Sequence, residues 1–144
     1  MIANNYYNGC GIREICHAVK NNDTNAVIEI AYWYVRSREI GEDCILVPIP
    51  QHTGRAEYTL EICKLISEKC GCEIKDVLRA VPHTSLYKQK VIGSKTLFTG
   101  LYKVEDIITN KNIYLIDNVV STGLTIRDSI RLIPNAIPFP YASV

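Results

Sequence analysis

The stretch NIYLIDNVVSTGLTIRDSI, Asn112 to Ile130, carries an acid, an amide, a glycine and three hydroxyl side chains within the nine positions from Asp117 to Thr125. An apolar run meets Asp117 and Asn118, continues as Val119-Val120, and breaks at Ser121-Thr122-Gly123 before a pattern that reads as helical. An acid at the end of a buried strand is suited to accept hydrogen bonds from sugar hydroxyls. Gly123 can take a positive φ, which lets successive backbone N–H groups converge on one concavity. The following helix start adds about half a positive charge. The hydroxyls of Ser121, Thr122 and Thr125 complete a set of donors suited to phosphate. A ribose 5-phosphate would lie with its phosphate on the loop and its hydroxyls on Asp117 and Asn118. Taken alone, S-T-G at a helix start also serves as a simple cap. Neither GxxxxGK[ST] nor GxGxxG occurs in the chain, which speaks against the P-loop and dinucleotide-binding chemistries.

The elements that must position these groups follow from periodicity. Ile12, Ile15, Cys16 and Val19 obey the i, i+3, i+4, i+7 rule, so a short amphipathic helix begins near Gly11. Asp23 or Thr24 can cap a second helix running to about Arg38, with Trp33 and its tyrosine neighbours packing as core. CILVPIP, Cys44 to Pro50, reads as a buried strand entering a loop. A helix follows, with Tyr58, Ile62, Leu65 and Ile66 on its apolar face and Gly71 at its end. DVLRAV, Asp76 to Val81, is expected to be a second strand and NIYLIDNVV the third, followed by a helix from about Leu124 to Ile133. AIPFPYASV is expected to add a final edge strand. Strands alternating with helices predict a single α/β domain over 1–144, with a mainly parallel central sheet flanked by helices. Residues 1–40 form a helical amino-terminal part and 44–144 the α/β core.

Ligands of such sheets bind at the carboxyl ends of the strands, here PQHTGR, VPHTS and DNVVSTGLT. Arg55 follows the first strand, and its guanidinium suits bidentate phosphate contacts as well as a solvated position in a first helical turn. His52 and His83 lie at two strand ends, where either can touch an anion or pass a proton, or simply occupy a loop. His17 falls within the first helix and is expected to be structural. From Val77 to Val104 there is no Asp or Glu, yet Arg79, Lys88, Lys90, Lys95 and Lys103 are present. A long basic segment without clear structure suggests a working loop or disorder. It suits any phosphate, including that of nucleic acid, and a solvated hairpin is the plainer alternative.

The segment from Asp117 to Thr125 resembles the phosphoribosyl-pyrophosphate motif of type I phosphoribosyltransferases. In that motif, apolar residues precede two acids, two apolar residues, a variable position, Thr-Gly, one residue, and Thr or Ser. Asp117 matches the first acid, Val119 and Val120 the apolar pair, Ser121 the variable position, and Thr122, Gly123 and Thr125 the rest. Asn118 is the one departure. YYNGCGIREICHAVKNND, ILVPIPQHTGRAEYTLEICKLISEKCG, DVLRAVPHTSLYKQK and LFTGLYKV follow in the order of the competence protein F branch, so the resemblance spans about Tyr6 to Ile133. The branch's amino-terminal zinc-binding cysteines are missing. Its RGFNQ segment is replaced by GRAEYT.

The resemblance implies transfer of a phosphoribosyl group from phosphoribosyl pyrophosphate, with Mg²⁺, to a nitrogen nucleophile. It implies Asp117 as the catalytic residue and Asp117 with Asn118 on the ribose. Ser121, Thr122, Gly123, Leu124 and Thr125 would hold the 5-phosphate. His52, Thr53, Gly54, Arg55, Lys88 and Lys90 would hold the pyrophosphate, and Asp117 would act on the metal indirectly through ribose or water. Ser121 stands where hypoxanthine and guanine salvage enzymes carry an Asp, which disfavours that substrate class. Replacing the second acid by an amide removes one charge, so a non-catalytic ribose-phosphate sensor or a DNA-handling accessory protein is the alternative. A homodimer is compatible with either reading.

Composition excludes other classes. With 47% hydrophobic and 22% charged residues and a net charge of +1, the 144-residue chain has no overall pull toward nucleic acid or membrane. Its start lacks a secretory pattern, and its six cysteines form no paired CxxC frame. A cytoplasmic protein with free thiols is expected.

Overall fold

The computed structural model describes residues 3–7, 9, 11–94 and 96–144. Cys10 and Lys95 lie outside them. The elements run β1 (Asn4–Asn5), α1 (Ile12–Lys20), α2 (Thr24–Ser37), β2 (Cys44–Pro48), α3 (Tyr58–Cys70), β3 (Glu73–Ile74), β4 (Leu78–Ala80), α4 (Leu86–Val91), β5 (Leu101–Lys103), β6 (Asn112–Val120), α5 (Leu124–Leu132) and β7 (Ala136–Ser143). The main sheet has the order β1-β7-β6-β2-β3, and all of its pairings are parallel. The α/β class with a mainly parallel sheet is therefore observed.

Alternation along the central strands separates two cores, as the period-2 geometry of a strand requires. Cys44, Leu46, Tyr114 and Ile116 face α1, α2 and α3, where Val19, Ile30, Tyr34, Ile62 and Ile66 are fully buried. Ile45, Val47, Ile113 and Leu115 face the other way, against Val77, Leu78 and Ile133. Strands buried on both faces read as unbroken apolar runs, which is why CILVP and IYLI are continuous. Trp33 packs edge-on against Tyr34, Phe139 and Tyr141, in the core as expected. Local chemistry sets the helix ends: Asp23 accepts from Ala26 N–H at 2.9 Å, and Gly71 closes α3 at φ 72°.

Three expectations need correction. The strand within Asp76–Val81 does not join the main sheet. Leu78–Ala80 pairs antiparallel with Leu101–Lys103 in a separate two-stranded sheet, and Glu73–Ile74 takes the place beside β2. The last strand lies between β1 and β6; its far side is paired only at Ala142 and Ser143, so it is an edge along most of its length. The basic segment from Val77 to Val104 is structured as β4, α4 and β5. Gln89 organises its centre: the buried amide donates to the carbonyls of Thr84 (2.6 Å) and Phe98 (3.0 Å) and accepts from Phe98 N–H (2.8 Å).

The cysteines outside position 10 are free thiols, with Cys16, Cys44, Cys63 and Cys72 buried. No helix among the described residues is long and apolar enough to cross a membrane.

Candidate functional site

The topology creates the site. The chain leaves β2 through α3 toward β3 in one direction and leaves β6 through α5 toward β7 in the other. β2 and β6 are neighbours, so their carboxyl ends flank a topological switch point, where open α/β sheets bind ligands. β2 ends in register with Ile116, whereas β6 continues to Val120 with only β7 beside it. The step left above Pro48 opens into a cleft of about 840 Å³.

Asp117 and Asn118 line this cleft together with Ser121, Thr122, Gly123 and Thr125. Gly123 sits at φ 77° immediately before α5, in the left-handed region that glycine adopts without strain. The first i to i−4 bond of the helix runs from Arg127 N–H to Gly123 O at 2.9 Å. The N–H groups before it are thus left to other partners, and Leu124 N–H is taken by Thr122 Oγ1 at 3.2 Å. Leu124 itself does not line the cleft.

Asp117 is buried, 8% exposed, and its Oδ1 accepts the Asn118 N–H at 2.8 Å. Burial pushes its carboxyl up to about 7, while that N–H and the nearby Lys20 pull the other way. The group is therefore poised between acid and carboxylate near neutrality. Tyr34 anchors the strand beneath it, its hydroxyl shared between the carbonyls of Asp117 (3.0 Å) and Phe139. Asn118 is turned into the protein: Nδ2 donates to Cys16 O at 3.5 Å and Oδ1 accepts from Tyr58 OH at 3.4 Å. Its amide joins β6 to α1 and α3.

The pyrophosphate candidates divide. His52 and Lys90 line the cleft; Thr53, Gly54, Arg55 and Lys88 do not. Arg55 is exposed and pairs with Asp76 at 3.6 Å, an acid that also holds Arg79 at 3.2 Å. His52 and His83 both line the cleft and stitch its two loops together. His52 Nδ1 faces the His83 carbonyl at 2.9 Å, and His83 Nδ1 faces the Val81 carbonyl at 2.7 Å. A carbonyl can only accept, so both Nδ1 atoms carry the proton, and in the neutral rings both Nε2 atoms are acceptors. Such a ring can take a proton from a nucleophile.

Tyr6, Tyr7, Arg13 and Lys20 are among further residues that reach the cleft without having been assigned to it from the sequence. His17, expected to be structural, lines it too and is hydrogen-bonded through Nε2 to Tyr6 OH at 2.9 Å. The signal was present, since Arg13, His17 and Lys20 are spaced i, i+4, i+7 on one stripe that borders the buried Cys16 and Val19.

As to a metal, no group of three or more His, Cys, Asp or Glu side chains among the described residues could hold one. Asp117 is the one acidic side chain among the described residues lining the cleft, so a Mg²⁺ there would have a single side-chain carboxylate and would depend on a phosphate-bearing ligand for its other oxygens.

No protein-family model matches the chain, and no curated protein matches it. Among solved structures, it is similar to a hypoxanthine phosphoribosyltransferase from Staphylococcus aureus in a tetragonal crystal form, at 12% identity and TM-score 0.44, covering 92% of this chain and 74% of that one. The orthorhombic form gives 14% identity and TM-score 0.41, covering 92% and 73%. A hypoxanthine-guanine phosphoribosyltransferase from Bacillus anthracis gives 16% identity and TM-score 0.39, covering 92% and 66%.

Proposed function

We propose that the chain binds the ribose 5-phosphate end of phosphoribosyl pyrophosphate and transfers the phosphoribosyl group to a nitrogen nucleophile. The observation that carries this reading is the junction of β6 and α5. It offers an open left-handed glycine turn, two threonine hydroxyls and a buried acid within nine residues, all on one cleft at the switch point.

In this reading the 5-phosphate rests on the Ser121–Thr125 loop and the α5 amino terminus. Ionised Asp117 accepts the ribose hydroxyls and lends negative charge beside the cationic ribose carbon that forms as pyrophosphate departs. Lys90 and His52 face the leaving group. Asp117 is the side chain that would border a Mg²⁺ brought in with the pyrophosphate, and such an ion would supply charge compensation for the leaving group. The nucleophile loses its proton to a neutral imidazole, that of His83, in keeping with the acceptor character of its Nε2 atom. Because Ser121 supplies no carboxylate, a purine held through an acid at that position is disfavoured.

The inward-turned Asn118 favours a second reading, a ribose-phosphate binder that does not turn over. Titration calorimetry with phosphoribosyl pyrophosphate, with and without Mg²⁺, tests the binding. Affinity should fall at least about tenfold, one decade in Kd, when Thr122 and Thr125 are both changed to Val. Unaltered affinity in that variant would remove the loop from the site. Pyrophosphate release on addition of nitrogen nucleophiles separates transfer from binding alone. A chain that binds only single-stranded DNA, with steep salt dependence, would be the DNA-handling accessory instead.

A further inference from the structure

The cations of the cleft come from different walls. Lys90 comes from α4, while Arg13 and Lys20 come from α1. Among the described residues neither Arg13 nor Lys20 has a carboxylate within 4.0 Å, and Asp117 is the only acidic side chain lining the cleft. Asp117 offsets the charge of Lys20 in part. Arg13 has no ion-pair partner among the described residues.

The same wall is aromatic. Tyr6 and Tyr7 pack edge to face at 5.0 Å, and Tyr7 keeps 67% of its surface exposed. The backbone of both is tied down, Tyr6 N–H donating to Ser143 O at 2.9 Å and Tyr7 N–H to Asn5 Oδ1 at 2.8 Å, while His17 is hydrogen-bonded to the Tyr6 hydroxyl. An aromatic surface in the same cleft as a guanidinium suits a planar ring bearing a carboxylate. The ring packs on tyrosine, and the carboxylate takes the bidentate bonds that arginine offers. Arg13 and Lys20 lie about 10 Å apart along the helix axis, so a single small anion meets one of them directly and the field of the other. A neutral base would bring no anion to Arg13 and would leave Lys20 with Asp117 alone.

We infer that the α1 wall, Tyr6, Tyr7, Arg13, His17 and Lys20, is the acceptor subsite and that the acceptor is a planar aromatic acid. The assignment of this ligand as acceptor rests on the Ser121–Thr125 loop holding the 5-phosphate of the other substrate.

The test is titration of the full chain with two matched pairs, orotate against uracil and nicotinate against nicotinamide, with and without saturating ribose 5-phosphate. In each pair the acid should bind at least about tenfold more tightly, one decade in Kd. Arg13→Gln should weaken that preference and leave ribose 5-phosphate affinity unchanged. The double change Arg13→Gln and Lys20→Gln should abolish the preference, and because Lys20 favours the ionised form of Asp117, ribose 5-phosphate affinity of the double variant is compared with the parent at pH 8. Both side chains are exposed, so folding should be retained; the single variants read the same preference if the double variant is not folded. Equal binding of acid and neutral partner, or no binding of either acid, would overturn the inference. So would an acid preference that survives the double change, or a double variant that loses pyrophosphate affinity and keeps orotate affinity. If ribose 5-phosphate does not bind while the acid preference holds, the phosphate-cradle reading fails and the aromatic-acid subsite stands.

Discussion

Tyr58 donates a hydrogen bond to Asn118 Oδ1 at 3.4 Å, joining the first turn of α3 to the end of β6. On its other side the same amide donates to Cys16 O at 3.5 Å. Asn118 is 2% exposed and both ends of its side chain are occupied, one accepting and one donating. An acid in this position when ionised could only accept, and the Cys16 carbonyl would face it with no proton between them. The amide is thus what this packing of α1 requires.

Asn118→Asp should therefore lower stability by about 1–3 kcal/mol, the cost of a buried polar group that loses its partner. Burial raises the pKa of the introduced carboxyl in the folded state above its unfolded value. The loss should accordingly be small near pH 4 and grow as pH rises toward 8. Urea unfolding at the two pH values measures it. An equal loss at both would mean that charge plays no part.

Asp117 gives a native pH dependence of the same sign. Its carboxyl is raised from 3.8 to about 7 in the folded protein. Its contribution to stability is therefore complete below pH 4, declines as pH rises through 7, and is level above that. At about 1.4 kcal/mol per pH unit the decline is on the order of 4 kcal/mol. Asp117→Asn should flatten the curve, leaving the variant more stable than the parent at pH 8 and similar to it at pH 4. Ribose 5-phosphate binding by the parent should tighten from pH 6 to 8 as the carboxylate forms.

Two left-handed glycines should respond differently to alanine. A methyl group on Gly123 meets nothing within 4 Å, so Gly123→Ala should cost only the backbone preference, about 1–2 kcal/mol. On Gly100 the same methyl would lie 2.8 Å from the Val81 carbonyl, so Gly100→Ala should cost distinctly more. Paired denaturation curves rank them. Gly123→Ala should also weaken ribose 5-phosphate binding, because the turn that aims the amides is strained.

Tyr34→Phe removes the proton shared by the Asp117 and Phe139 carbonyls at a fully buried position. A loss of about 1–2 kcal/mol is expected. Faster amide exchange should appear at the ends of β6 and β7 before elsewhere.

The β6–α5 junction was legible to within a residue because its signals are local: an apolar run, a glycine turn and a helical period lie in one segment. The place of Leu78–Ala80 was not, because the pattern of a short strand does not say which partner it takes. Its partner lies beyond α4 in the chain. The prolines of the last strand gave a partly correct reading. Pro138 and Pro140 stand where β7 is unpaired on its outer side, and only the two-residue β1 makes the strand interior at its end. Arg13 and Lys20 could be placed on one helical face from spacing alone. That this face meets the cleft depends on how Cys16 and Val19 seat α1 in the core, a non-local fact.

The stitching of the two loops has a mechanical consequence. Ala80 N–H to Gly54 O (2.9 Å), His83 N–H to His52 O (3.0 Å) and His52 Nδ1 to His83 O weld the root of the β4–β5 arm to the loop after β2. Its other root is riveted to α5 by Thr99 Oγ1 to Asp128 Oδ2 at 2.6 Å and Lys103 Nζ to Leu132 O at 3.0 Å. Between these fixings, residues 84–98 form hydrogen bonds only among themselves, among the described residues, and Gln89 braces them from within. The arm is thus a stiff lever on two short fulcrums, at 83–84 and 98–99. The lever carries Lys90 and the exposed Tyr87 over the mouth of the cleft. A few degrees of rotation at those fulcrums would sweep both side chains across the opening without disturbing the sheet below.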